Sequence, residues 1–319
     1  MMETMTEADR AAARRPIWWG PLALSVASLC WGLSVPLSKK AVAVLPPITL
    51  LALQLLVSVV VLWLIILLRA MASRRDQSVL TRRDFWHACL SGALQPGLTY
   101  LLVTLGLLFT TASNVVLLDA SEPILIMGLA ALFLRERISR LQAPFAILAG
   151  IGVIFVIWPQ LGATAISGAG LSGDLLVLAG IVLASIYVVL SRRLIVANDG
   201  LILAAIQQSA ALCVVAAALL VFLAAGFWPS GFAAMTSELT FIVVLSGLLQ
   251  FALPFGLYLT ALRHISAAVS ALYLPLIPVS GLVTAYLILG ERLDLGQWIG
   301  AILIMTSVAG ISWLASRPR

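Results

Sequence analysis

The pentapeptide SGALQ at residues 91–95 recurs as SGLLQ at residues 246–250, a shift of 155 positions. Other residues repeat at this shift or at a shift of 153, so a single gap of two residues relates the two halves of the chain. The clearest pairs are Gln54 with Gln207, Pro123 with Pro278, Glu136 with Glu291, and Trp158 with Trp313. The sequence therefore predicts an internal repeat that covers nearly the whole chain.

The composition places both copies of the repeat in a membrane. Hydrophobic residues make up 62% of the 319 positions and charged residues only 10%, whereas soluble domains carry about 25% charged residues. Stretches long and apolar enough to cross a bilayer occur ten times. They lie near residues 17–38, 48–68, 85–107, 113–134, 141–158, 174–191, 201–224, 240–261, 266–289 and 297–315. The predicted fold class is an all-α integral membrane protein with ten transmembrane helices.

The basic residues predict how these helices are oriented, because Lys and Arg concentrate in cytoplasmic loops. Placing the N-terminus in the cytoplasm puts 16 of the 19 basic residues inside and leaves only Lys39, Lys40 and Arg292 outside. This alternation requires ten spans. We therefore expect a multi-pass protein of the cell membrane, inner or plasma, with both termini in the cytoplasm.

Five spans in each half is an odd number, so the two halves must enter the membrane from opposite sides. Many secondary transporters are built from such inverted repeats and bind substrate near the midplane between them. The first span is too long for the apolar core of a signal peptide, and we expect it to be retained. The predicted organisation is a cytoplasmic tail (1–16), a first five-helix repeat (17–158), an external linker (159–173), a second five-helix repeat (174–315) and a cytoplasmic tail (316–319).

Several other functional classes are disfavoured. The net charge of +6 is explained by topology and does not indicate a nucleic-acid surface. The three cysteines match no metal or redox spacing, and the sequence has no G-x-x-x-x-G-K-[ST] motif for ATP. We expect no metal, no cofactor and no nucleic acid. The expected partners are a small-molecule substrate and the lipid bilayer, with the protein acting as a monomer or a homodimer.

Two carboxylates interrupt the fourth span, NVVLLDASEPILIMGLAALFL (114–134), at Asp119 and Glu122. Each costs about 2.5–3.5 kcal/mol on insertion scales when charged and unpaired, so both should face the bundle interior. Residues three apart share a helix face, and two adjacent carboxylates rarely both ionise at neutral pH. We predict that the pair binds substrate or a coupling proton. The alternative is a protonated pair that bonds Asn114 or a neighbouring helix and only maintains packing.

Prolines are predicted to break several spans, because proline lacks the N–H that would bond the carbonyl four residues earlier. The freed carbonyls, such as that of Gln250, would be available near the midplane. Proline is also simply common in transmembrane helices, which is the alternative explanation. The predicted helix breaks are at Pro36, Pro96, Pro123, Pro254, Pro275 and Pro278.

Polar and aromatic side chains in the spans complete the candidate site. An aromatic wall beside a carboxylate suits an ammonium group, through cation–π attraction of about 0.5–2 kcal/mol. Interfacial anchoring explains Trp31 and Tyr273 equally well, and Gln54 and Gln207 are expected to bond neighbouring helices. The candidate substrate-binding residues are Trp31, Ser34, Gln95, Tyr100, Asp119, Glu122, Tyr187, Gln250, Tyr258 and Tyr273. Glu136 and Glu291 are expected to form ion pairs with the arginines beside them.

Together these features resemble the EamA-type branch of the drug/metabolite transporter superfamily. The resemblance rests on the five-plus-five repeat, on WG at 31–32 followed by two lysines, on SEP at 121–123, and on a Glu-Arg pair closing the fourth and ninth helices. It covers about residues 20–315 and implies a cavity lined mainly by helices 1, 3, 4, 6, 8 and 9. Family members often repeat the Glu-Pro pair in the second half, where this chain has Ile277 and Pro278.

The predicted function is secondary-active or facilitative export of small amine-bearing metabolites, amino acids or related compounds, by alternating access, with proton coupling as a further hypothesis. Uptake or exchange by the same fold is the alternative. A multi-span membrane enzyme is disfavoured, because His87 and His264 stand apart from any second ligand or acid–base group. A receptor or anchor that transports nothing would not need broken helices in both halves.

Overall fold

Ten helices follow one another through the part of the chain that the computed structural model describes, namely residues 19–72, 81–122, 124–126, 129, 141, 143–163, 169–226, 233, 235–261, 273–274 and 276–316. In the first half they are α1 (Trp19–Val42), α2 (Pro47–Ala72), α3 (Arg82–Gly106), α4 (beginning with Ala112–Asp119) and α5 (Ala143–Ala163). In the second half they are α6 (Ala169–Ala197), α7 (Gly200–Ala224), α8 (Ser237–Ala261), α9 (Leu276–Leu289) and α10 (Leu295–Ser316). Each helix lies on a predicted span, and the described residues contain no strand.

The helices have the length and apolar composition of membrane spans. Within the described residues, six segments are long and apolar enough to cross a bilayer: Trp19–Val42, Pro47–Ala72, Arg82–Gly106, Gly170–Val188, Gly200–Ala224 and Ser237–Ala261. Shorter apolar stretches lie within α5, α9 and α10. The prediction of an all-α membrane protein is confirmed.

Polar residues at the helix ends account for the boundaries. Thr111 precedes α4, and its hydroxyl accepts the N–H of Asn114, which fixes the short break after α3 that the sequence marks only weakly. Asp199 and Thr236 cap α7 and α8 in the same way. Gly290 follows α9 with φ +69°, a conformation that glycine adopts without strain.

Two apolar clusters form the core, one towards each end of the molecule. The first contains Leu45, Leu107, Leu117 and Ile304. The second packs α2 against α7 and α8 and contains Leu51, Leu55, Leu203 and Phe251. Large apolar side chains remain exposed around the outside, as expected for a surface that contacts lipid; they include Leu64, Leu220, Phe241 and Leu287.

α3 and α8 each contain a π-helical turn at equivalent positions of the repeat. The turns are Ala93–Leu98 in α3 and Leu248–Ala252 in α8, and the shift of 155 residues carries one onto the other. Gln95 leaves helical geometry altogether, with φ −138° and ψ 121°. The break predicted at Pro96 is therefore present in α3, whereas α8 continues as a helix through Pro254, with the π-helical turn just before that proline.

α1 contradicts the prediction of a break at Pro36. The helix runs without interruption from Trp19 to Val42 with Pro36 inside it. The reason lies in packing, because Gly32, whose carbonyl Pro36 leaves free, is pressed against α9. A Cβ added to Gly32 would lie 2.4 Å from the carbonyl oxygen of Ile277 and 2.8 Å from the nitrogen of Gly281. This close crossing supports α1 on both sides of the proline.

α4 breaks directly after its first acidic residue. The first helical segment ends at Asp119, and Ala120 and Ser121 form a turn. Helical hydrogen bonding resumes where the N–H of Ile124 donates to the carbonyl of Ser121 at 3.0 Å. Pro123 lies outside the described residues, so the break is located by the residues around it.

The break predicted in the ninth helix coincides with the start of α9. Pro278 lies in the first turn, where a missing N–H is tolerated. The carbonyl of Leu274, which Pro278 leaves free, accepts the N–H of Ile277 at 2.9 Å. Pro275 lies outside the described residues.

The two halves pack mainly against each other. α1 lies on α8 and α9, α2 on α7, α3 on α6 and α7, and α5 on α10. Two of these crossings are built by the repeated SG pair. A Cβ added to Gly92 would lie 2.1 Å from the carbonyl oxygen of Gln207, and one added to Gly247 would lie 2.9 Å from that of Gln54.

The serine beside each glycine completes the crossing. The side-chain amide of Gln207 donates to Ser91 at 3.0 Å, and that of Gln54 donates to Ser246 at 2.7 Å. The expectation that these two glutamines bond neighbouring helices is confirmed. The repeated stretch therefore builds the same contact twice, α3 on α7 and α8 on α2.

Loops that the charge count predicts to be external meet at one end of the molecule. The ammonium group of Lys39 donates to the carbonyls of Leu107 and Thr110 at 2.5 and 2.6 Å. Lys40 pairs with Glu238 at 2.9 Å. The ends of α1 and α3 and the start of α8 are thus neighbours. Ten spans that alternate in direction would place all three on the same side of the membrane. The cytoplasmic location of the other end stays a prediction.

Candidate substrate site

Asp119 and Glu122 lie on either side of the turn that ends the first segment of α4. Both are half-buried, and they are close enough to interact electrostatically. Among the described residues, neither carboxylate accepts a hydrogen bond or forms an ion pair. The break in α4 therefore presents two acidic groups that have no hydrogen-bond or ion-pair partner in the described part of the chain.

Two tyrosines from different halves approach these carboxylates. Tyr100 of α3 lies within electrostatic range of both Asp119 and Glu122, and Tyr187 of α6 lies within range of Glu122. The hydroxyl of Tyr187 donates to the side-chain oxygen of Gln207 at 3.2 Å, which fixes its position. The acidic pair is thus flanked by α3 and α6.

Aromatic rings extend from these tyrosines towards α1. The rings of Tyr100 and Phe251 meet edge-on with centroids 4.8 Å apart. Trp31 contacts both Phe255 and Tyr258 at 5.5 Å. Tyr258 in turn lies within electrostatic range of Tyr187. The sequence analysis selected Trp31, Tyr100 and Tyr258 but missed Phe251 and Phe255, which their spacing along α8 with Tyr258 would have revealed.

Trp31 also uses a carbonyl that a proline leaves free. Its indole N–H donates to the carbonyl of Gln250 at 3.1 Å, and Pro254 has no N–H for that carbonyl. The predicted freed carbonyl therefore serves as an acceptor for a side chain from the other half. This bond ties α1 to the π-helical turn of α8.

The two glutamines of the repeated motif have different surroundings. The side-chain oxygen of Gln250 accepts the hydroxyl of Ser38 at 2.8 Å. The equivalent oxygen of Gln95 is buried and has no hydrogen-bond partner among the described residues, and the same is true of the hydroxyl of Thr99 one turn later. Such groups are rare in folded proteins and each requires an explanation.

Two further predicted site residues, Ser34 and Tyr273, contact groups other than the carboxylate pair. Ser34 is buried, and its hydroxyl donates to the carbonyl of Trp31 within α1 at 2.7 Å. Tyr273 packs beside Leu24 and Ala261, together with Trp19 at the beginning of α1. Tyr258 borders the same cluster, so Tyr273 lies next to the aromatic wall on the side away from the loops that contain Lys39.

A second polar cluster lies at the loop end and was not identified from the sequence. We call it the Asn114 cluster; it consists of Thr110, Asn114, Asp174 and Gln297. Asp174 has no exposed surface and accepts the hydroxyl of Thr110 at 2.5 Å and the amide of Asn114 at 3.2 Å. The amide of Gln297 donates to the side-chain oxygen of Asn114 at 2.7 Å. An aspartate as the first residue of a predicted span was the available signal.

The Asn114 cluster bears on the alternative explanation of the carboxylate pair. Asn114 bonds Asp174 and Gln297, and it bonds neither Asp119 nor Glu122. The suggestion that Asn114 holds a protonated structural pair is therefore wrong. The physical reason is that Asn114 lies in the first turn of α4, beside α6 and α10, whereas the pair lies at its far end.

Glu291 does not form the predicted ion pair with the neighbouring arginine. Its carboxylate accepts the N–H groups of Ala112 and Ser113 at 3.0 and 2.8 Å, and the hydroxyl of Ser113 at 2.6 Å. The free N–H groups and positive dipole at the start of a helix favour an anion there. Glu291 therefore caps α4 from the other half of the molecule, and Glu136, its counterpart, lies outside the described residues.

Comparison with known proteins identifies the family. The model for the EamA-like transporter family matches residues 18–158 and again residues 171–313. The chain belongs to the EamA-like transporter family. The double match confirms the prediction of two five-helix repeats and the resemblance drawn from the sequence. This EamA protein is a membrane transporter, and no group of three or more potential metal ligands occurs among its described residues.

Relatives of this EamA protein are transporters whose substrates are not named. One from Methanothermobacter thermautotrophicus, called an uncharacterized transporter, is 23% identical over 92% of this chain and 86% of its own length. The uncharacterized transporter YvbV of Bacillus subtilis is 27% identical over 90% of this chain and 89% of its own. A crystal structure with 20% sequence identity has a TM-score of 0.66 and covers 93% of this chain and 97% of that chain, which shows the shared fold.

Proposed function

We propose that this EamA protein exports small amine-bearing metabolites, amino acids or related compounds, by alternating access of its two halves. The observation that carries this proposal is the pair Asp119 and Glu122, which has no partner among the described residues and lies beside an aromatic wall. Carboxylates attract an ammonium group by charge, and tyrosine and tryptophan faces attract it by cation–π interaction. Because the wall comes from both halves, a relative motion of the halves would change access to the bound amine.

Proton exchange is part of the proposal. Two neighbouring carboxylates retain a proton more readily than a single one, and an arriving cation displaces it. Export of one amine would then be accompanied by uptake of a proton. We place the protein in the cell membrane with both termini in the cytoplasm, on the strength of the distribution of its basic residues.

Flux measurements on the purified full-length protein in liposomes test the proposal. Asp119→Asn and Glu122→Gln should each reduce amine flux at least tenfold, while the exposed control Glu238→Gln should leave it unchanged. A pH-sensitive dye inside the vesicles should report proton movement that depends on amine and is lost in Glu122→Gln. Full activity in both carboxylate variants would disprove a role for the pair.

The direction of amine transport needs a separate test, because uptake or exchange by the same fold is the alternative to export. Thiol-specific labelling of a single cysteine placed in a terminal segment establishes the orientation of the protein in cells. Cells that produce the transporter should then lose preloaded labelled amine faster than cells that produce Glu122→Gln. Faster accumulation from the medium would instead indicate an importer.

A further inference from the structure

The chain segments around the site contain acidic residues but no Lys or Arg. Asp119 and Glu122 provide two carboxylates, whereas the sequence has no Lys or Arg in residues 16–38, 84–134, 141–191 and 194–262, which form the parts of α1, α3, α4, α6 and α8 nearest the site. The half-buried ammonium group of Lys39 lies at the loop end and already bonds the carbonyls of Leu107 and Thr110. A negatively charged part of a substrate would therefore meet no cationic side chain on these segments.

Several neutral hydrogen-bond donors around the site are also occupied. The indole N–H of Trp31 bonds the Gln250 carbonyl, and the amide of Gln207 bonds Ser91. The amide of Gln208 bonds the carbonyl of Phe251 at 3.1 Å, and that of Gln54 bonds Ser38 and Ser246. These donors hold helices together, so they are not available to bind a carboxylate.

Unsatisfied acceptors are present in the same region. The side-chain oxygen of Gln95 is buried at the π-helical break of α3 without a partner among the described residues, whereas its counterpart in Gln250 accepts Ser38. Thr99, which is 4% exposed and lies one turn further along, has a hydroxyl that likewise lacks a partner there and can accept or donate. Tyr100, next in sequence, lies within electrostatic range of the acidic pair. An acceptor left buried without a donor costs free energy that an N–H group of a ligand would recover.

We propose that the substrate is a small organic ammonium ion that carries no carboxylate. This inference rests on the proposed transport of amines and narrows it to those without an acid group. An ammonium ion satisfies Asp119 and Glu122 electrostatically and supplies N–H groups for Gln95. The carboxylate of an amino acid would instead be desolvated beside two acidic side chains with no Lys or Arg on the surrounding segments to pair with it, which is strongly unfavourable.

Pairs of compounds that differ only in the carboxylate provide the test. Counterflow into liposomes is measured with labelled tyramine and tyrosine, and with labelled cadaverine and lysine, using the full-length wild-type protein. We expect at least one amine to be transported at least tenfold faster than its matched amino acid. Transport of the amino acids at rates equal to or above those of their amines would overturn this inference while leaving the proposed amine transport intact.

Failure of the proposed function gives a different result. If neither member of either pair is transported, and neither shifts the thermal stability of the protein, both the proposed function and the narrower inference are wrong. If an amine is transported but Glu122→Gln transports it equally well, the acidic pair is not its binding site, and the inference drawn from that pair is overturned as well.

A matched pair of glutamine variants tests the orphan acceptor. Gln95→Leu removes an oxygen that bonds no protein group, so the apparent affinity for the transported amine should fall about three- to tenfold with thermal stability unchanged. Gln250→Leu removes the acceptor of Ser38, so it should lower thermal stability. Loss of stability in Gln95→Leu without loss of amine affinity would show that its oxygen has a structural role only, and would contradict the proposal.

Discussion

The side chain of Asn114 determines how three helices meet at the loop end. Its amide group donates to Asp174 of α6, and its oxygen accepts Gln297 of α10, so one residue of the first half holds two helices of the second. Buried interhelical hydrogen bonds in membrane proteins contribute about 0.6 kcal/mol each on average and up to about 1.7 kcal/mol. Both partners of Asn114 are themselves buried, so water would not replace a hydrogen bond lost there.

Replacing Asn114 by leucine should therefore destabilise the protein. Asn114→Leu leaves Asp174 and Gln297 without this partner, and we expect a loss of about 1–3 kcal/mol. Chemical denaturation in detergent micelles measures it. The control is Thr306→Val on α10, which removes an exposed hydroxyl that bonds only its own helix. Equal stability of the two variants would show that the Asn114 cluster does not support the fold.

Neutralising Glu291 and neutralising Glu238 should have different effects on stability, because only Glu291 caps a helix. Glu291→Gln removes the negative charge from the start of α4, and a loss of about 1 kcal/mol is expected from the helix dipole and two charge-assisted hydrogen bonds. Glu238→Gln removes an exposed ion pair with Lys40 and should change stability little. Denaturation midpoints of the two variants decide between these roles, and identical midpoints would contradict capping by Glu291.

At the scale of helices, the repeated SG pair allows two close crossings between the halves. A larger residue at either glycine would push the helices apart, because the opposing atoms belong to the backbone of Gln207 or Gln54. Small residues serve this purpose widely in membrane proteins, where apolar side chains gain nothing by leaving lipid.

Alanine at these glycines measures how tightly the helices must pack. Gly92→Ala, which places a Cβ 2.1 Å from the Gln207 oxygen, should lower stability more than Gly247→Ala, where the distance is 2.9 Å. Gly150→Ala in α5 is the control, because no heavy atom lies within 4 Å of its added Cβ. It should be neutral or slightly stabilising, as alanine favours helix. Thermal aggregation assays would reveal any departure from this order.

The helices show where sequence patterns suffice and where they do not. Apolar length and proline positions predict the spans and the breaks in α3 and α4, since both depend on local chemistry. The effect of Pro36 is not predicted correctly, because the contact of Gly32 with α9 overrides it. The roles of Glu291 and Asp174 are not predicted either, because their partners in and beside α4 are also distant in sequence.

At the scale of the whole molecule, the repeat and the alternation of basic residues predict the architecture, because both are properties of the entire chain. The candidate site is less predictable. Asp119 and Glu122 are conspicuous in an apolar span, but the sequence does not show that Tyr100 and Tyr187 approach them or that Gln95 has no partner. Those properties arise only when helices of opposite halves meet.

Crosslinking the halves tests whether the loop end must open during transport. In a variant with Cys30, Cys89 and Cys213 replaced by serine, Ser113→Cys and Glu291→Cys place one thiol on each side of a contact whose native side-chain atoms lie 2.6 Å apart. Because cysteine is shorter than glutamate, a short bifunctional methanethiosulfonate reagent is used to join the two sulfurs. Crosslinking should stop flux in liposomes, and a reducing agent should restore it, because alternating access requires this end to separate. Each single-cysteine variant serves as a control. Undiminished flux in the crosslinked protein would contradict opening at this end.

The Asn114 cluster has a consequence for the distribution of the protein between conformations. Contacts that both repeats share, such as the two SG crossings, contribute equally to states facing opposite sides and cancel from their free-energy difference. The contribution of the Asn114 cluster does not cancel from this difference. The repeat-related position, 155 residues after Asn114, is Val269, whose side chain has no hydrogen-bonding group. Two interhelical hydrogen bonds of about 0.6 kcal/mol each favour the state closed at the loop end by roughly eightfold. Without substrate, this transporter should therefore rest with its loop end shut.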